Sequence, residues 1–231
     1  HGAVSITEYQ EQGYLPEAMV NFLALLGWSL DDKTEIMSRQ ELVDSFSLER
    51  VSQAAAIFNQ DKLKWMNGIY IRKLDSRDFV QRSLPFLDKD LPPEVARPLS
   101  SEYVGQIMPL VQERARTLAE VTDLVEFFLV DELEYDTELL IGKNMSREAA
   151  VKALEVSRQK LSRLNVFDDG SLEAVLRPLA EELELKTGQL FGVLRIAVTG
   201  RLAAPPLFQT MTVLGKGRCL KRIEAAQIKL T

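Results

Sequence analysis

The sequence predicts an all-α fold, and three observations carry that expectation. Capping-box patterns recur at Ser5-x-x-Glu8, Ser38-x-x-Glu41 and Thr117-x-x-Glu120, where two side chains satisfy orphan amides at a helix start. Apolar residues return at helical spacing over most of the chain, which lines up one face of each helix. Alternating strand patterns are scarce, and the clearest, Ile69-Tyr70-Ile71, is short enough to be read as helix.

Taken in order, Ser5 caps the first helix and Pro16 sits at the first position of the second, where its missing N–H costs nothing. Met19, Phe22, Leu23 and Leu26 then share a face until Gly27 stops the helix. Around Asp61, a short helical turn carries Lys62, Lys64 and Trp65, and Asn67-Gly68 is expected to end it. The stretch from Leu84 to Leu99 contains Pro85, Pro92, Pro93 and Pro98, which marks a domain edge. Val104, Met108 and Val111 line the next helix, and Leu118, Val121, Leu124, Val125 and Phe128 line the one after Thr117.

A second boundary falls near Gly142 to Ser146, with Ser146 capping a long basic helix that runs to about Leu164. Beyond it, Gly170-Ser171 starts a helix, Gly200 ends another, Pro205-Pro206 forbids continuation, and Gly215 closes the helix before a final basic one. These punctuation marks divide the chain into residues 1–84, 85–143 and 144–231. No fixed-period repeat is evident.

Composition bounds the chemistry. At 231 residues with 46% hydrophobic and 27% charged residues, the chain has the make-up of a globular protein with a sizeable core. No apolar run approaches the roughly 20 residues needed to span a bilayer. The one cysteine, Cys219, cannot form an internal disulfide, and with no signal peptide evident a cytoplasmic setting is expected. The net charge of −6 argues against broad, non-specific nucleic-acid binding. Charge is nevertheless segregated: Lys216, Arg218, Lys221, Arg222 and Lys229 form a basic run, and Asp131 to Glu138 an acidic one. Either run reads equally as a docking patch or as a solvated helix face.

The single histidine, at the terminus, supplies neither a zinc site nor a catalytic triad, and Gly215-Lys216-Gly217-Arg218 lacks the spacing of a phosphate loop. Asp31-Asp32 and Asp168-Asp169 read as turn formers and helix caps. No catalytic residue, metal ligand or cofactor site is expected in this chain.

What remains points to recognition. A tryptophan flanked by lysines can stack on a base or sugar while ammonium groups meet phosphates, although Trp65 can equally be a core anchor with a solvated rim. The segment Asp61-Lys-Leu-Lys-Trp-Met-Asn-Gly-Ile-Tyr-Ile-Arg72 resembles the hallmark of bacterial-type glutamyl-tRNA synthetases. Ser5 to Trp28, Val198 to Phe208 and Val213 to Arg218 resemble the same family in the same order.

The resemblance implies a helical stem-contact segment over residues 1–84, followed by two anticodon-binding helical subdomains over 85–143 and 144–231. It implies the C-terminal part of a synthetase, beginning at His1 just after a lysine-x-serine-lysine loop. The intact enzyme would join glutamate to tRNA-Glu using ATP and Mg2+, working as a monomer. Whether it also charges tRNA-Gln stays open. By resemblance, Lys62 and Trp65 meet the tRNA inner corner, with Arg72 and Lys73 extending the patch. Trp65 as filler of a hinge is the competing reading.

Arg114, with Arg116 as second choice, corresponds to an arginine that reads the last anticodon base, since a guanidinium fork can meet a cytosine edge. A surface ion pair of Arg114 with Glu113 or Glu120 competes with that reading. The loop Gly200 to Leu207 resembles the segment that meets the first anticodon base, through Leu207 and the carbonyls of Ala204 and Pro205. Some family members have glycine where this chain has Pro206, so any contact through that amide is lost. The alternative to the whole reading is a helical protein-interaction module without RNA affinity.

Overall fold

The computed structural model describes residues 5–52 and 57–231; His1 lies outside them. Every regular element among the described residues is helical. The helices are α1 (Ile6–Glu11), α2 (Pro16–Leu25), α3 (Arg39–Ser45), α4 (Gln60–Lys73), α5 (Ser76–Asp90), α6 (Ser101–Gln112) and α7 (Glu120–Leu129). They continue as α8 (Arg147–Ser162), α9 (Asp169–Glu182), α10 (Thr187–Thr199), α11 (Leu207–Leu214) and α12 (Lys216–Leu230). None of the described helices is long and apolar enough to cross a membrane.

Local chemistry accounts for most starts. Ser5 and Ser38 form complete capping boxes with Glu8 and Glu41, and Asn59, Asp75, Ser100, Ser146 and Asp168 each accept an amide of the first turn. The third expected box is offset by one residue. Thr117 accepts the Glu120 amide at 3.4 Å, but the Glu120 carboxylate turns back to the Arg116 amide at 3.1 Å.

Two expectations are corrected. The helix around Trp65 does not stop at Asn67-Gly68; α4 runs through both residues to Lys73. Asn67 is fully buried, its carbonyl accepting Leu15 N–H at 2.7 Å and its amide donating to the Arg116 carbonyl at 2.6 Å. A turn signal is thereby used as a tertiary cross-link. Pro85 likewise does not break the chain but lies inside α5.

The chain divides into two compact units, residues 1–91 with 99–124, and residues 92–98 with 125–231. In the first, Tyr9, Met19, Phe22, Leu63 and Met66 pack together, and Trp28, Met37 and Leu42 form a second cluster. Asn21 and Tyr70 lock the segment between α2 and α3: Asn21 accepts Met37 N–H, and the Tyr70 hydroxyl donates to the Met37 carbonyl. In the second unit, α12 lies against α8, α10 and α11, burying Leu154, Leu172, Leu176, Leu194, Met211 and Ile223. Burial of several leucine-sized side chains, at about 1.5–3 kcal/mol each, dominates the stability of such a bundle.

Candidate nucleic-acid interface

In the first unit the interface is built on α4. Leu63, Met66, Asn67 and Ile71 face inward, which leaves Trp65 and Arg72, two helical turns apart, on the opposite side. Trp65 is 45% exposed, so its indole is partly anchored and partly presented to solvent. Its role as a core filler is set aside by that exposure.

The C-terminal end of α4 is held by the last residue of α6. Gln112 donates from its amide to the carbonyls of Ile71 and Leu74, both at 2.9 Å, satisfying acceptors at the end of the helix. Gly13 completes the mount. It has φ +80°, its carbonyl accepts Leu118 N–H at 2.9 Å, and a Cβ there would lie 2.4 Å from the Ala119 nitrogen. Only glycine fits so close a backbone approach in that conformation.

This mounting brings the cations together. A Cβ on Gly68 would lie 3.3 Å from Arg72 Nη1 and 3.5 Å from both the Ala115 carbonyl and Arg116 Cα. Arg72 therefore folds back over Gly68 beside the backbone of Arg116, and exposed Arg114 stands on the same turn of chain. Lys64 joins through Glu120, which it meets at 2.5 Å. Glu120 is thus engaged by Lys64 and by the Arg116 amide. Lys62 pairs with Glu35 at 2.6 Å, a half-exposed pair worth little net stability, about 0–1 kcal/mol, and so open to exchange for a phosphate. Lys73 stands over the Tyr70 ring at 6.0 Å.

The second unit carries the loop between α10 and α11. Gly200 leaves α10 with φ +71°, and Pro206 caps α11 without a side-chain hydrogen bond. Pro205 and Leu207 are buried and Ala204 is half-buried, whereas Leu202, Ala203 and Pro206 are exposed. The Leu207 side chain therefore anchors the loop from beneath, and the outward surface is offered by neighbours that the sequence did not single out.

One of those neighbours, Leu202, also borders a groove of about 390 Å3 shared with Lys143, Lys186, Gly188 and Gly192. Neither α10 glycine would bring a Cβ within 4 Å of another group, so the helix backbone is open there. Gln189 staples the groove by donating to the Lys143 and Asn144 carbonyls at 3.3 and 3.1 Å. Arg195 lies one turn before the loop; its Nε is buried and has no hydrogen-bond partner among the described residues. Its signal in the sequence was a lone charge in the apolar run Leu190 to Val198.

Most of the basic run on α12 is neither of the things its sequence offered. Lys216 donates to the Leu164 carbonyl at 2.7 Å, Arg218 to that of Phe128, and Lys229 to that of Leu133 at 3.0 Å. Arg222 is buried against carbonyls of its own. These four cations cap main-chain acceptors, while Lys221 of the same run stays exposed. Among the described residues no group of three His, Cys, Asp or Glu side chains could hold a metal ion.

Comparison with known proteins bears on this arrangement. The family model for the anticodon binding domain matches residues 78–227, and that for the catalytic domain of class I tRNA synthetases (E and Q) matches residues 1–65. The glutamate–tRNA ligase of Dehalococcoides mccartyi (strain CBDB1) is 52% identical over 231 residues, covering all of this chain and 47% of that protein. That of Roseiflexus castenholzii is 48% identical over 96% of this chain and 44% of its own length. The chain thus spans about half the length of the curated relatives it matches.

Among solved structures, a glutamate tRNA ligase from Elizabethkingia meningosepticum superposes with a TM-score of 0.83 at 28% identity, over 96% of this chain and 43% of that one. The glutamate-tRNA synthetase of Elizabethkingia anophelis gives a TM-score of 0.80 at 30% identity, over 95% and 42%. With a family match across residues 78–227 and the described helices in place, the chain belongs to the anticodon-binding-domain family.

Proposed function

We propose that this chain is the tRNA-binding part of a cytoplasmic, monomeric glutamate–tRNA ligase, which attaches glutamate to tRNA-Glu. The observation that carries the reading is the α4 platform: a half-exposed indole at Trp65, with Arg72 and the Arg116 backbone beside Gly68 and Lys64 paired with Glu120. An indole face stacks on a base or ribose, and the guanidinium groups meet phosphate or a base edge. Lys62 and Lys73 extend the same helix. In the second unit, Ala204 and the exposed residues around it, with Lys143 and Lys186 in the neighbouring groove, offer a second contact.

Gripping the tRNA away from the reacting end orients its acceptor end for chemistry elsewhere in the ligase. Within this reading the ATP and Mg2+ that such a ligase uses are handled by its catalytic domain, of whose family model this chain matches only residues 1–65. The division into a stem-contact segment over 1–84 and anticodon-binding parts over 85–143 and 144–231 is retained within this reading. Charging of tRNA-Gln would depend on how the Arg114 turn treats the last anticodon base.

Filter binding with tRNA-Glu and an unrelated RNA tests the reading. Specific retention of tRNA-Glu is expected. Trp65→Ala should weaken every tRNA alike by roughly 1–3 kcal/mol, while Arg114→Gln should narrow the gap between glutamate and glutamine anticodons. Equal, feeble binding of all RNAs would favour a protein-interaction module instead.

A further inference from the structure

Near the middle of α12, one buried residue joins the ends of two helices that flank the proposed recognition loop. Arg222 is 4% exposed, and its guanidinium donates to the carbonyls of Val198 at 2.7 Å, Phe127 at 2.8 Å and Val130 at 2.6 Å. Phe127 lies in the last turn of α7, Val130 is the first residue past it, and Val198 lies in the last turn of α10. These are the orphan acceptors of two helix C-termini, where peptide dipoles concentrate negative charge. A planar guanidinium can serve several carbonyls at once, whereas a lysine ammonium on a flexible stem cannot reproduce that fork.

Val198 stands two residues before Gly200, the point at which the chain leaves α10 for the loop. The same turn bears on the segment after α7 at further points. A Cβ on Gly200 would lie 3.2 Å from the Tyr135 ring. The Thr199 hydroxyl accepts Arg201 N–H at 3.1 Å. Arg201 reaches Glu126 at 3.3 Å and lies 5.6 Å over the Phe127 ring. Arg222 links the two helix ends through three carbonyls, and Arg201 ties the loop to α7 beside it.

We propose that Arg222 is a positioning residue: it fixes the end of α10 against the end of α7, and so sets the placement from which the 200–207 loop meets RNA. It touches no RNA itself. The inference rests on the function proposed above for that loop.

The test uses the whole chain carrying Arg222→Lys or Arg222→Met. Binding is measured to a tRNA-Glu transcript and to the same transcript with its first anticodon base replaced, alongside hydrogen exchange of the loop and of α8. In the folded Arg222→Lys protein, preference for the natural anticodon should fall about tenfold, the order expected from misplacing one or two hydrogen bonds. Affinity for the altered transcript should hold. Amides of Arg201 to Ala204 should exchange faster while those of α8 do not.

A folded variant that keeps both its preference and its loop protection overturns the proposal. So does failure of both variants to fold, or exchange that rises uniformly, since either assigns Arg222 to general stability. A wild-type chain indifferent to the anticodon would strike the function proposed for the loop instead, and loop exchange would still report on the clamp.

Discussion

At the scale of single residues, the same side chain can carry local and tertiary instructions, and burial decides between them. Asn67 and Gly68 form a dipeptide that ends helices when solvent satisfies the amide. Here Asn67 is sealed between Leu15 and Arg116 and works as a two-ended hydrogen-bond strut. Asn67→Leu keeps the volume but strands a buried N–H and a buried carbonyl. It should cost about 2–4 kcal/mol in urea unfolding, each orphaned group contributing about 1–3. A loss below about 1 kcal/mol would mean that the strut is dispensable. Because the Arg116 carbonyl is one end of that strut, the same variant should loosen the turn bearing Arg114 and Arg116. Cys219 shows the converse: burial pushes its thiol up to about 12, which removes it from thiolate chemistry at neutral pH.

At the scale of elements, helix starts were written locally, as were the glycine ends of α10 and α11, whereas other ends were not. Glu41 and Asp168 accept amides at or beside the caps of α3 and α9, from Ser38 and Ser171 respectively, and these bonds hold both carboxyls below their ordinary range. Asp31 is lowered for the same reason, by the amides of Lys33 and Thr34 that close its turn. A carboxyl lowered on folding stabilises the fold above its unfolded pKa, and that contribution is lost as pH falls through the folded one. The urea midpoint should therefore drop as pH falls through the ordinary values of 3.8 and 4.5 and below. Carboxyl-carbon NMR titrations should place all three groups under those values, and an ordinary titration of Glu41 and Asp168 would refute the capping account. The other C-terminal ends behave differently. Gln112 closes α4, while Arg218 and Arg222 serve α7. Each partner is distant in sequence, so no local pattern could announce it.

At the scale of the whole molecule, net charge and binding charge come apart. The chain carries −6 overall, and α12, its most basic helix, directs most of its cations into main-chain carbonyls. The cations that the proposed reading assigns to a polyanion are a handful, chiefly Lys62, Lys64, Arg72, Arg114 and Arg116 in one unit and Lys143 and Lys186 in the other. Contacts to about three to five phosphates should give a slope of log affinity against log salt of roughly −2 to −4. A slope near −10 in the same filter assay would mean a broad basic surface that this account lacks.

The fold was largely legible from residues alone. Serine and aspartate caps, proline and glycine punctuation and helical spacing are short-range signals, and each acts within one or two turns. Of the proposed binding residues, Lys62, Trp65, Arg72, Arg114 and Arg116 were visible as types at a spacing, and they fall within one compact unit. Leu207 and Pro205 were visible too, but the loop turns them inward; Leu202, Lys143, Lys186 and Arg195 gave little local signal. Left to itself, the sequence determined an all-helical chain with a tryptophan flanked by lysines. Only the tertiary structure decided which cations stay available to a partner and which close the ends of helices. That choice depends on carbonyls brought close by packing, across separations that no sequence window spans.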